Sequence, residues 1–515
     1  MFGAVPPGVL AHALGWLDCV DVAAAHCAAP LLREAAATVI TETARRLGVG
    51  GGGLGTTFLF QAHAARRPRR VAVELHNGLV VDAAGTAWSF GSDGHALGRG
   101  NFFTLAGPAG DWRDFGAPRR VGGDLRALKV RRVAVGYCFG AALTEGGQVF
   151  SWGCNQNGQL GHGDAATRPF PKLVEGLCNV SALAASNRRC VAISSGDMYV
   201  WGRFAPDSID VLSPKRLHQR GAEGPDEAAA GVDQAAPKSD DPSGGPSIES
   251  SSDPSVEQSV EPSVEPSDGP APPDDAAPPP PAAPPPPPVD LANVGFIDVS
   301  AGYYWAVSLD VRGRLWFWSD VEERGPDAFA TLTLVPAREK IVSASAGVGH
   351  CLFVGASRRV YGFGENDFHQ VRPLPSATDH VDNPTRVPGL NDAGFVHAGS
   401  ASFAVSRAGN ISAWGRGAMG ELGTSTLADR RTGPASMEAF RNVCVSEVAG
   451  ITGYVAVAEA AQGLEYYTWG RTCVYVAGAA DDEGTAQHAA NRVLAVPQRF
   501  HLDANATETP SLPTR

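Results

Sequence analysis

Few residues in this chain could do chemistry, and their spacing assigns most of them elsewhere. Two stretches spell G-x-G-x-x-G: Gly48, Gly50 and Gly53, then Gly415, Gly417 and Gly420. That pattern cradles a pyrophosphate only where it closes a strand and opens a helix. The first follows a helical pattern and reads as a glycine linker. The second lies in a repeated loop, where glycine serves turns. Nine cysteines, an odd number without a C-x-x-C pair, argue against a disulfide framework and a zinc module, and fit a reducing compartment. P-loop, H-E-x-x-H and G-x-S-x-G patterns are absent from the sequence, so no catalytic residue, cofactor or metal site is expected. Arg66, Arg67, Arg69 and Arg70 read as a solvated linker, and Pro284 to Pro288 as an extended spacer.

The remaining candidates are aromatic, and a sevenfold recurrence positions them. Phe90, Trp152, Trp201, Trp318, Phe363, Trp414 and Trp469 each follow a tight turn, at Gly85, Gly147, Gly196, Gly313, Arg358, Gly409 and Gly463 respectively. An apolar run precedes each turn, and most runs carry a glycine (Gly136, Gly302, Gly347, Gly399, Gly450), read as a mid-strand bulge or close backbone approach. A Pro-x-x-apolar element follows at Pro118, Pro171, Pro214, Pro384, Pro434 and Pro497, suited to an outer edge strand. Self-similarity with a period of about 45 to 60 residues and three or four strands per unit matches an all-β, seven-bladed β-propeller. Each unit is too thin to bury a large aromatic alone, so the seven are structural blade anchors filling space between neighbours.

The net charge of -12 is concentrated in one segment. Residues 221–290 hold fifteen acids and one lysine, leaving the rest of the chain near neutral at about +2. A near-neutral body disfavours nucleic acid as a partner. Residues 219–290 also hold 19 of the 39 prolines, a composition expected to be disordered. Subtracting them restores the normal spacing between Trp201 and Trp318, so the segment is an insertion between units. Three short helices are expected over residues 6–47. The expected domains are therefore a helical module (1–49), a linker (50–70), blades (71–218), the disordered Pro/Ser/acidic loop (219–290), further blades (291–501) and a tail (502–515). No apolar run is long enough to cross a bilayer. A monomeric ring is expected, intracellular and cytoplasmic or nuclear.

With these parts assembled, Trp152, Gly153, Gly158, Leu160, Gly161 and Gly163, followed by Pro171 and Val174, resemble the regulator of chromosome condensation repeat. Trp414 to Gly423 and Phe90 to Gly98 are further copies, and Val342 to Val354 resembles the preceding element, with Gly347 and His350. The third, fourth and seventh units lack the G-x-L-G loop. At the position of His350 the other units carry Asn77, Phe139, Arg189, Trp305, Ser402 and Gly453, a scatter that marks it as structural. The amino-terminal residues resemble an F-box, with Pro7, Leu10, Leu14, Leu17 and Asp18 at adaptor-binding positions. Together the resemblances imply a non-catalytic substrate receptor: a Skp1-type adaptor on the helical module and a target protein on the propeller of a cullin-type ubiquitin ligase. The alternative they imply is guanine-nucleotide exchange on a Ran-like small GTPase.

Overall fold

The computed structural model describes residues 69–91, 94–100, 117–203, 210–217, 294–303, 305–319, 332–373, 378–472 and 492–502. The expected amino-terminal helices, with Pro7, Leu10, Leu14, Leu17 and Asp18, lie outside the described residues, as do the insertion at 219–290 and all of the 502–515 tail after its first residue.

The described body is seven four-stranded antiparallel sheets, each formed by consecutive strands. The second blade is typical: an inner strand Val130–Gly136, then Phe139–Thr144, Val149–Gly153 and an outer strand Arg168–Leu173. The other inner strands are Val71–Val73, Val180–Ser186, Phe296–Ala301, Ile341–Ala346, Ala393–Ala398 and Cys444–Gly450. The only helical pieces among the described residues are two 3-10 turns, Gly123–Ala127 and Glu438–Phe440.

The long apolar runs are each two strands, which corrects the expectation of one strand with a central glycine. Gly136, Gly302, Gly347, Gly399 and Gly450 stand where the inner strand ends and turns into the second. Both strands are buried on both faces, so the alternation that would mark a break is missing. The close-approach reading of these glycines holds. A Cβ on Gly347 would lie 2.7 Å from the Gly399 carbonyl oxygen, and one on Gly399 would lie 2.6 Å from that of Gly450. Pro171, Pro214, Pro384, Pro434 and Pro497 fall inside the outer strands, which are sheet edges where a missing N–H costs no ladder bond, while Pro118 immediately precedes Arg119–Arg120.

All seven turns before the aromatic anchors place their marked residue in the left-handed region. The φ values run from 74° at Gly313 to 126° at Gly463, and Arg358 adopts 63° where the others have glycine. The turn carbonyls then join the blades. Val130, Val180, Phe296, Ile341, Ala393 and Val445, at or near the start of an inner strand, donate their N–H to the carbonyls of Gly85, Gly147, Gly196, Gly313, Arg358 and Gly409 of the preceding blade. The bonds are 2.8–3.1 Å long.

The seam between the seventh and first blades is built differently. All strands of the first sheet come from the start of the described chain and all strands of the seventh from its end, so no strand is shared. The N–H groups of Arg70 and Val71 donate instead to the two carboxylate oxygens of Glu447, at 2.8 and 3.2 Å. An apolar layer of Val71, Val80, Phe90, Val455, Tyr466 and Phe500 closes over this pairing.

Gly399→Ala tests the close approach. Overpacking against backbone costs about 2 kcal/mol, whereas Gly389→Ala, at φ 82° with open space around it, carries only left-handed strain of about 1 kcal/mol. Denaturant midpoints should fall for both, and further for Gly399→Ala. Equal shifts would contradict the packing of the inner turns.

Candidate functional site

Six of the seven anchors are fully buried, while Phe363 is partly buried. Four tryptophans use their indole N–H across a blade boundary. Trp152 donates to the Ala96 carbonyl at 2.8 Å, Trp201 to Gln159 at 3.0 Å, Trp414 to Gln370 at 2.8 Å and Trp469 to Glu421 at 2.7 Å. Each acceptor immediately precedes the apolar residue of the neighbouring G-x-L-G-type loop: Leu97, Leu160, Val371 or Leu422.

The loop is built to aim that carbonyl. In the second blade Asn155 Oδ1 accepts the Leu160 N–H and Gln159 Oε1 accepts the Asn157 N–H, both at 2.9 Å. Asn366 and Gln370 repeat this in the fifth blade, where His369 takes the left-handed conformation that Gly158 and Gly420 supply elsewhere. His350 is indeed structural. Its Nε2 lies 2.9 Å from Ser402 Oγ, which donates to the Gln370 carbonyl, and burial holds the imidazole neutral with a pKa of about 3. One alignment needs correction: the inner turn of the sixth blade is a residue shorter, so Ala401, paired with Gly415, occupies the His350 position in place of Ser402.

The inner strands surround a cavity of about 180 Å³ that the sequence reading did not anticipate. Its charged lining residues are Arg69, Glu74, Asp298 and Glu447, with His397 beside them. Asp298 of the fourth blade receives Arg132 Nη2 of the second blade at 2.6 Å and Arg69 Nη2 at 3.0 Å. Burial alone would raise the Asp298 pKa, but the two guanidinium groups outweigh it and hold the carboxyl below its ordinary value. Arg132 is pushed down to about 10 by burial, partly countered by Asp298. Glu447 is raised to about 7 by burial, against its two backbone N–H bonds and the nearby arginines. His397 is lowered to about 4, again by burial, and its Nε2 lies 2.7 Å from the Gly450 carbonyl. Glu74 is raised to about 8 by burial alone. A charged residue inside an otherwise apolar strand, as at Arg132, Asp298 and Glu447, is the one sequence signal that could have found this cluster.

Two predictions follow from these contacts. Trp469→Phe removes the indole donor from the buried Glu421 carbonyl and leaves a void, a loss of about 2–4 kcal/mol. Trp414→Phe should cost less, because Ser402 Oγ still donates to Gln370, and urea unfolding would reveal a reversed order. For Glu74, the folded carboxyl stays protonated to about pH 8 while the unfolded one ionises near 4.5. Its contribution is therefore complete below 4.5 and lost as pH rises towards 8. The melting temperature of Glu74→Gln relative to wild type should climb between pH 5 and 8, and a constant difference would refute the assignment.

Comparison with known proteins places this geometry. Models of the regulator of chromosome condensation repeat match residues 130–159 and 146–201. The chain is 26% identical over 377 residues to the Arabidopsis thaliana protein RUG3, described as a mitochondrial protein with the same domain. That match covers 70% of this chain and 68% of RUG3. It is 34% identical over 128 residues to human HERC2, an E3 ubiquitin-protein ligase, covering 24% of this chain but 2% of that protein. The structure of Prp20p from Saccharomyces cerevisiae superimposes with a TM-score of 0.51 at 17% identity, over 75% of this chain and 81% of that one. The mitochondrial relative overturns the expectation of a cytoplasmic or nuclear protein. A basic, then apolar leader marks secretion, whereas organelle transit segments are amphipathic and arginine-rich.

Proposed function

We propose that this chain, which carries regulator of chromosome condensation repeats on a seven-bladed ring, is a non-catalytic protein-binding propeller. The observation that carries this reading is the use made of its reactive side chains. The indole N–H groups, His350 and the loop amides hold one blade to the next, and Asp298 with its two arginines spans the channel. Side chains so committed serve a rigid frame, and rigid frames present loops to partners.

The finer reading keeps residues 1–49 as the coupling module, with Pro7, Leu10, Leu14, Leu17 and Asp18 engaging a Skp1-type adaptor of a cullin ubiquitin ligase. Its support is the sequence resemblance and the position of the module ahead of the ring. A second reading, exchange on a Ran-like small GTPase, is favoured by the likeness to Prp20p, which binds Gsp1p and histones.

One set of experiments separates them. The full chain should capture a Skp1-type adaptor, and Leu10→Asp with Leu14→Asp should abolish capture while the ring stays folded by circular dichroism. No capture by the wild type removes the ligase reading. Accelerated release of labelled nucleotide from a Ran-like GTPase would establish the second reading, and unchanged rates would eliminate it. Failure of both, together with no specific protein recovered by crosslinking, would remove the binding function itself.

A further inference from the structure

The inner strands end in a ring of small residues. Gly302, Gly347 and Gly399 each close their inner turn with an N–H bond to a carbonyl across that turn, at Trp305, His350 and Ala401. Gly136, Ser186 and Gly450 end the inner strands of the second, third and seventh blades. In the first blade the equivalent bond runs from the N–H of Glu74 to the carbonyl of Asn77. One glutamate therefore stands at a level where the other six blades have glycine or serine. It lines the channel cavity together with Ser186, Gly302, Gly347 and Gly450.

The charges of the channel are matched everywhere except there. Asp298 has both Arg69 and Arg132. Glu447 has the N–H groups of Arg70 and Val71. His397 is neutral and bonded to Gly450. Glu74 is buried, and its Oε1 has no hydrogen-bond partner. Of the three channel carboxylates, Glu74 alone has an oxygen, Oε1, left without a hydrogen-bond partner.

We propose that the glycine ring at the end of the channel is a binding site for a primary ammonium group, with the Glu74 carboxylate as its counter-ion. An anion is excluded because both arginines are already engaged by Asp298. A metal ion fits poorly, since no group of three or more metal-ligating side chains occurs among the described residues. An ammonium group brings three N–H donors and no acceptor. One of them meets the unpartnered Glu74 Oε1, and the residues that end the inner strands around it, Ser186, Gly302, Gly347 and Gly450, carry no side chain larger than serine, with Tyr303 and Ile451 beside them in the lining. The site is independent of the protein-binding role of the ring. Burial keeps Glu74 protonated near neutrality, so binding ejects that proton, and affinity rises with pH until the carboxyl is ionised without ligand. The other groups facing the channel, Asp298, Glu447, Arg69, Arg132 and His397, are fixed by the bonds described above.

The experiment is calorimetric titration of the full chain with n-propylammonium chloride between pH 6.5 and 8.5, in two buffers of different ionisation heat. The expected result is saturable binding that strengthens with pH and releases a proton to the buffer. Glu74→Gln keeps the shape and should weaken binding at least tenfold. Glu74→Gly gives the first blade the residue of its neighbours, and should do the same if Glu74→Gln fails to fold. Tetramethylammonium carries the charge without an N–H and should not compete. The proposal is overturned if n-propylammonium does not saturate the wild type, so that the cavity holds water alone. It is equally overturned if either folded variant binds as well as the wild type, or if tetramethylammonium displaces the probe.

Discussion

The ring depends on one backbone hydrogen bond made six times over, from the N–H opening a blade's inner strand to the carbonyl of the preceding blade's turn. That carbonyl is presented by a residue in the left-handed conformation, which is why glycine recurs there and why Arg358 is strained in the one unit that departs. The bond fixes where each inner strand begins. The distance from turn to anchor, the reach of each tryptophan to its neighbour's loop and the width of the channel are all set from that origin. A four-stranded sheet buries little on its own, so the boundaries between blades are where the core lies, and the hydrophobic clusters duly straddle them.

The channel obeys a second constraint. Its charged groups come from strands that are distant in sequence and need not be neighbours in the ring: Asp298 on the fourth blade meets Arg132 on the second. Buried ion pairs add little net stability, because desolvation offsets attraction. Their effect here is geometric. Removing Asp298 would leave two guanidinium groups without their counter-ion, so Arg69, the second blade and the fourth are held in a single relative placement.

The anchors were the most legible part of the sequence, because each unit repeats the same spacing. A finer rule was also present unread: Trp152, Trp201, Trp414 and Trp469 follow units whose loop offers a carbonyl, whereas Phe90 and Phe363 follow the seventh and fourth units, which lack the G-x-L-G loop, with Trp318 after the loop-less third unit as the exception. A phenylalanine has no N–H to satisfy. The division of each apolar run into two strands was hidden because neither strand faces water. The channel cluster was hidden because Arg69, Arg132, Asp298 and Glu447 are brought together only by closure of the ring. Ser402 was taken for the counterpart of His350 because a turn shortened by one residue leaves no mark in a one-dimensional alignment.

The seam has a consequence for how the molecule is made. Blade-to-blade bonds span short stretches of chain, such as the 48 residues between Trp469 and Glu421, but Arg70 and Glu447 are 377 residues apart. Closing so large a loop carries one of the largest closure entropies in the fold. The blades can therefore zip together in order along the chain, leaving the first and last to meet at the end. A contact formed that late contributes little to the rate of folding and much to the rate of unfolding. Glu447 thus acts as a latch on the lifetime of the finished ring.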